Sequence, residues 1–328
     1  MSKQAKFYLG RVRKRGELTA EKIVEAMREP ATIEYRGTRY SFIDFQSFGA
    51  PGQETGFYAK IAKYRQLGAV EVVREDQHAS AAAAVPYLID VSSPFVYLPG
   101  FSGLAYRHIW NSFPSDQFEK VFRDLVEAKF QKFFVGCDIE PIADLRTFVT
   151  RLSGLSVITE LQASIFPPNP LFGPCWKSLS EYLRKRKLTE AVIKEEAPQG
   201  IETKLPAIAK AVLAELPPAD LLELMEPLLD GLGDAALLMA ADGYGRARVK
   251  GLEHGRQVII RTSENQKASC SKVNLNLNDF SIMHLKPSKR LTTSEVWNIH
   301  EPVYGFSAFG DRFARTALCF GANRHLCI

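Results

Sequence analysis

Metal and redox chemistry have little to work with in this chain. Its six histidines, His78, His108, His254, His284, His300 and His325, include no two spaced four residues apart. That removes the paired helical ligands on which many zinc sites are built. Cysteine is scarce too. Cys137, Cys175, Cys270, Cys319 and Cys327 are odd in number and follow neither a disulfide framework nor a metal-ligand spacing. No apolar run approaches the roughly 20 residues that span a bilayer. The first ten residues hold no secretory apolar region, so a reduced, cytoplasmic setting is expected. Gly231-Leu-Gly233 and Gly243-Tyr-Gly245 lack the Lys-Ser/Thr helix start, or the third glycine, of a phosphate loop. Ser102-Gly103 and Cys175-Trp176 have no base beside them in sequence, so a base for either would have to come from a distant segment. These absences predict a protein without metal, cofactor or catalytic set.

What is present is an ordinary globular composition at a length sufficient for two cores. Lys6–Arg13 alternates polar and apolar residues and reads as a strand. Leu18–Arg28 reads as a helix with Thr19 as its N-cap. Short strands are expected at Thr32–Tyr35 and Thr38–Phe45 around an Arg36-Gly37 turn, then at Phe57–Tyr64 and Ala69–Val73. An alanine-rich link, Ala79–Ala84, leads to a strand at Pro94–Leu98, which Gly103–Ile109 should pair. A helix through Lys129, a strand at Phe133–Ile139, a Pro-led helix at Pro141–Leu152 and a strand at Leu155–Phe166 complete the order. The expected class is α+β with two domains. Residues 1–168 would carry a split βαβ (ferredoxin-like) antiparallel layer. Residues 169–328 would carry mixed helices plus a β-ribbon. The boundary is placed at Pro167-Pro-Asn-Pro170, where fixed φ and missing donors stop regular structure. Helices are expected at Trp176–Lys187, Leu205–Leu216 and Ala219–Leu229, and a strand at Gln257–Arg261.

Charge is unevenly spread. Between Arg246 and Arg290 ten bases face three acids, a net of +7 where the whole chain has +5. The preceding stretch, Glu202–Asp242, is acidic. The first part of the basic segment sits within Ala236–Leu252, which reads as a β-ribbon with hairpin chemistry at Asp242-Gly-Tyr-Gly245. Arg246, Arg248 and Lys250 alternate, so their side chains should share a face while Ala247 and Val249 turn to the core. Charge reversal at the three is accordingly expected to leave packing undisturbed. Such a ribbon suits a polyanion; it equally suits a solvated edge whose charges block aggregation. Arg256 and Arg261 extend it. Further clusters are Arg11, Arg13, Lys14 and Arg15, with no acid in the first sixteen residues; Lys60, Lys63 and Arg65, interleaved with Tyr58 and Tyr64; and Arg184-Lys185-Arg186-Lys187. The last run ends a helix, where cations also offset the dipole. These sixteen residues are the candidate DNA contacts, through phosphates and hence without sequence preference.

An enzyme reading needs carboxylates. Asp138 and Glu140 alternate on a strand just before Asp144, a group a two-metal nuclease could use with a basic partner. Acids beside a helix N-terminus, stabilised by its dipole, explain them as well. A third reading gives the basic surface an acidic protein as partner.

The run Pro94-Phe-Val-Tyr-Leu-Pro-Gly-Phe-Ser-Gly-Leu-Ala-Tyr-Arg107, then Cys137-Asp-Ile-Glu-Pro-Ile142, a strand near Ile158 and Asp234-Ala-Ala-Leu-Leu-Met-Ala-Ala-Asp-Gly-Tyr-Gly-Arg246 are similar in order to the RexA-like phage-exclusion proteins. The resemblance spans about residues 5 to 270, and this chain is longer at its C-terminus. It implies a two-domain cytosolic homodimer that binds DNA with little sequence preference in anti-phage defence. It also implies a second defence protein as partner, such as a membrane channel.

Overall fold

The computed structural model describes residues 4–50, 53–74, 79–168, 177–213 and 231–272. The protein is mixed α+β and rich in strand, with antiparallel sheets. Its chain falls into two compact units. One comprises Gln4–Phe7 with Val12–Ile139; the other comprises Tyr8–Arg11 with the residues from Glu140 onward.

In the first unit, strands β1 (Gln4–Gly16), β2 (Thr32–Tyr35), β3 (Thr38–Ala50), β4 (Gln53–Tyr64), β7 (Ile89–Leu98) and β8 (Gly103–His108) lie in the order β1-β8-β7-β4-β3-β2, and β9 (Val135–Pro141) pairs with β1. The β2–β3 turn is Arg36-Gly37, both at positive φ (50° and 76°), which gives the hairpin the twist its strands require. Helix α1 (Ala20–Arg28) starts where Thr19 accepts a hydrogen bond from Lys22 N–H at 3.3 Å. Helix α2 (Ser115–Lys129) presents Phe118, Val121, Phe122 and Leu125 to the sheet. There Phe42 and Phe95 meet Phe122 at centroid distances of 5.7 and 5.5 Å, and Tyr106 stacks on Phe118 at 4.3 Å. Aromatic rings packed edge to face and stacked form the centre of this core.

The alanine-rich Ala79–Ala84 is not a link. It belongs to β6 (Ala79–Pro86), which pairs along its whole length with β5 (Leu67–Arg74) in a two-stranded ribbon. Alanine's weak strand preference is overridden by backbone pairing to a valine-bearing partner.

In the second unit, β10 (Val157–Ile165) lies between β11 (Ala191–Glu196) and β12 (Gly245–Glu253), and β13 (Arg256–Arg261) adds to β12. The strand expected to complete a split βαβ layer with β7 and β8 therefore pairs with later segments instead. Pro167 and Pro168 follow it directly; Asn169 and Pro170 lie outside the described residues. Helix α3 (Leu145–Ser153) is opened by Asp144, which accepts from Thr147 N–H at 2.9 Å, while Pro141 stands in β9. Helices α4 (Lys177–Lys185) and α5 (Leu205–Leu213) follow. The expected helix Ala219–Leu229 lies outside the described residues, as do Lys286, Lys289 and Arg290.

The segment read as the start of a ribbon is a helix. Leu232–Met239 forms α6, which packs across β10, β11 and β12. Every residue from Gly233 to Met239 is buried. A short apolar run of this kind has no polar stripe, so its periodicity does not separate buried helix from buried strand. Buried Asp234 accepts from Thr203 Oγ1 at 2.6 Å and from Lys204 N–H at 3.0 Å, tying α6 to the start of α5. The core of this unit gathers Leu161, Ala163 and Ile165 of β10, Val249 of β12, Phe148 of α3, Ile208 of α5 and Leu183 of α4.

Candidate functional site

After α6 the backbone widens into one π-type turn, Ala240–Tyr244, and enters β12 through Gly243 (φ 84°) and Gly245 (φ 154°). A Cβ at Gly245 would stand 2.1 Å from the Ser164 carbonyl oxygen, so only glycine lets β12 start against β10 here. Wide turns of this type recur at functional sites. This one carries a buried ionic group. Arg11, 1% exposed, donates from Nε to the Asp242 carbonyl oxygen at 2.6 Å and from Nη2 to its Oδ2 at 2.9 Å, and its guanidinium lies 4.4 Å from the centre of the Tyr244 ring. Burial pushes the Asp242 carboxyl up, with the Arg11 charge and hydrogen bond opposing it; burial also raises the Tyr244 phenol. The group is a structural knot. Arg11 cannot reach a phosphate from there, which corrects its assignment as a DNA contact.

From Gly245 onward β12 alternates as its sequence demands. Arg246 and Arg248 are exposed and Lys250 half-buried, with Ala247 and Val249 facing the core. Register places two more cations on the same face. Gln162 of β10 stands opposite Lys194 on one side and Arg248 on the other, and Arg248 stands opposite Arg261. Directly paired residues share a face, so Lys194, Gln162, Arg248 and Arg261 form one row across four strands. At about 4.8 Å per strand the row is roughly 14 Å long. Lys194 was not found by reasoning from charge clusters. Its signal was the alternation of Ala191-Val-Ile-Lys-Glu-Glu196, which half-buries Ile193 and exposes Lys194.

This face also carries acids drawn from other segments. Arg246 Nε donates to Glu140 Oε2 at 2.6 Å, Arg248 Nη2 to Glu160 Oε1 at 2.8 Å, Lys194 Nζ to Glu196 Oε2 at 2.6 Å and Arg261 Nη1 to Glu264 Oε1 at 2.9 Å. Glu140 and Glu160 are themselves buried. Charge reversal at Arg246 and Arg248 would set carboxylate against buried carboxylate. The expectation that it leaves packing undisturbed is thereby corrected. Glu264 also takes Arg151 Nη1 at 2.9 Å; burial alone would raise its carboxyl, but the bonds from Arg151 and Arg261 together hold it low. Arg256 is exposed in the β12–β13 hairpin.

The other clusters fare differently. Arg184, Lys185, Arg186 and Lys187 are all exposed at the end of α4; Arg184 Nη2 donates to the Pro168 carbonyl oxygen at 3.3 Å and Arg186 lies 5.4 Å from the centre of the Tyr182 ring. In the first unit Lys60 is buried against Asp44 at 2.7 Å, which removes it from the phosphate-binding set; Tyr58 beside it is buried too. Lys63 is half-buried, and exposed Arg65 meets Asp90 at 3.2 Å. Arg15 is exposed and pairs with Asp138 at 2.8 Å, and Arg13 is half-buried. Lys14 points its Nζ at Ser102 Oγ, 2.6 Å away. The three carboxylates of the nuclease reading are each committed elsewhere: Asp138 to Arg15, Glu140 to Arg246, Asp144 to the start of α3. Among the described residues no three His, Cys, Asp or Glu side chains gather as a metal would need.

Residues 20–216, more than half of the chain, match the model of a family described as a domain of unknown function, DUF4747. No curated protein matches the chain. The matched stretch contains Lys60–Arg65, Arg184–Lys187 and Lys194; β12 and β13 lie beyond it.

Proposed function

The chain belongs to the DUF4747 family, and from that premise we propose that it holds double-stranded DNA by its phosphates, without reading sequence. One observation carries this: the outward face of β10–β13 presents Lys194, Arg246, Arg248, Lys250 and Arg261 together, on strands whose other face is core. Alternate residues on a strand stand about 6.8 Å apart and β-paired ones about 5 Å. Several phosphates of one backbone can therefore be met at once. The partner carboxylates do not close the surface, because a guanidinium has five donors and spends one or two on its acid. They lower its net charge, so affinity should be modest.

Anti-phage defence rests on the RexA-like resemblance alone. A cytoplasmic homodimer and a second, membrane-bound defence protein rest on it as well. Fluorescence anisotropy with a labelled duplex at low salt tests the binding. Arg246→Gln, Arg248→Gln and Lys250→Gln combined should raise the Kd at least about tenfold, equally for the original and a scrambled duplex. Unchanged binding in the triple variant would assign the face to solubility and leave Arg184–Lys187 as the remaining exposed run.

A further inference from the structure

We propose that Ser102 and Lys14 form a serine–lysine acyl-transfer site, with Ser102 Oγ as nucleophile and Lys14 Nζ as its base. The site lies in the first unit and does not depend on the DNA-binding reading. Four features of the geometry point to it. The two atoms are 2.6 Å apart, although 88 residues separate them in sequence. This is within the reach at which a base takes a proton from a nucleophile. Ser102 sits at φ 49°, ψ 24°, a left-handed conformation that is uncommon outside glycine, at the end of the Pro99–Phe101 helical turn and directly before β8. Such backbone outliers cluster at active sites, where the surrounding structure holds them. Here the holding is explicit: Ser102 N–H donates to the Pro99 carbonyl oxygen at 3.0 Å, and the Ser102 carbonyl oxygen accepts from Val12 N–H at 2.7 Å. Finally, β1 delivers Lys14 to the hydroxyl from the strand beside β8, so both partners are fixed by sheet pairing.

The setting disfavours the charged amine. Burial pushes the Lys14 ammonium down, opposed by Cys137 on β9 and Glu21 on α1. The same two groups act on Tyr97 of β7, whose buried hydroxyl has no hydrogen-bond partner among the described residues. Desolvation of this kind moves a lysine toward the neutral amine that a general base requires.

The reaction follows from the atoms. Ser102 Oγ forms a bond to the carbonyl carbon of an ester while its proton passes to Lys14 Nζ. The carbon–oxygen bond to the leaving alcohol breaks, and that oxygen takes the proton from Lys14. Water then adds to the acyl-serine, gives its proton to Lys14, and releases a carboxylic acid, restoring the hydroxyl. Ser102 is only 6% exposed, so the acyl group must be small, of acetyl size.

The test uses the full chain and p-nitrophenyl acetate. Wild type should hydrolyse the ester and show an acetyl group on Ser102 by peptide mapping. Its rate should rise with pH as Lys14 loses its proton, with a midpoint below that of ordinary lysine. Ser102→Gly suits the left-handed backbone and should keep the fold while reducing turnover by about 100-fold or more. Lys14→Arg retains charge and hydrogen bonding but cannot act as the base, and should be equally inactive. Equal turnover in wild type and folded Ser102→Gly would overturn the proposal. Activity retained in Lys14→Arg would also overturn it, leaving a structural contact.

Discussion

Arg11 shows how little a residue's type says about its work. In sequence it opens a basic cluster; in the protein it is the anchor of the Asp242–Tyr244 turn, fully enclosed and bonded twice to Asp242. Breaking a buried pair strands the remaining charge, at a typical cost of about 3–5 kcal/mol. Asp242→Leu should therefore destabilise by that order in urea unfolding, and Arg11→Met combined with it should recover part of the loss. A single-variant loss below about 1 kcal/mol would mean that the pair does not bear on stability. Glu264 behaves oppositely, because its carboxyl is held low by two arginines that outweigh its burial. A carboxyl depressed on folding contributes stability that is complete above its unfolded value, near 4.5, and is lost as pH falls through the folded value. Melts taken from pH 7 downward should show Glu264→Gln losing stability at neutral pH while converging on wild type in acid.

At the scale of elements, β12 depends on its glycine entry. Gly245→Ala would drive a Cβ into the Ser164 carbonyl at φ 154°, where no L side chain is at ease. The variant should melt lower by several degrees and lose hydrogen-exchange protection first in β10 and β12. Protection lost uniformly would place the damage elsewhere. The alternation of Arg246, Ala247, Arg248 and Val249 was legible because a strand with one buried face has a period of two. The helix before it was not. Leu232–Met239 carries only Asp234 among apolar residues, and only its position across three strands makes it a helix buried from Gly233 to Met239. Strand β6 was misread for the converse reason: alanine announces no strand, and pairing with β5 makes it one.

At the scale of the whole molecule, the charge count needs revision. Ten bases between Arg246 and Arg290 suggested a strongly cationic segment, yet Glu140 and Glu160 arrive from outside it to meet Arg246 and Arg248, Glu264 within it meets Arg261, and neighbouring Lys194 is met by Glu196. Salt dependence reports how many phosphates are neutralised, at about 0.9 in log affinity per phosphate. With the carboxylates in place the slope of log affinity against log salt should be about −2 to −4, not the −9 that ten free cations would give. A flat response between low and moderate salt would remove phosphate contact as the basis of binding.

The amino-acid sequence by itself determined most of the strands and helices, the absence of paired histidines, and the shared face of Arg246, Arg248 and Lys250, since each follows from local periodicity, from spacing or from side-chain alternation. Tertiary structure alone decided which charges meet. Arg11 and Asp242 are 231 residues apart, Arg246 and Glu140 106, and Lys14 and Ser102 88. Local pattern carries no record of such separations. They are set when strands choose their neighbours, by burying apolar faces that many registers could bury and that only the complete set of packed elements selects.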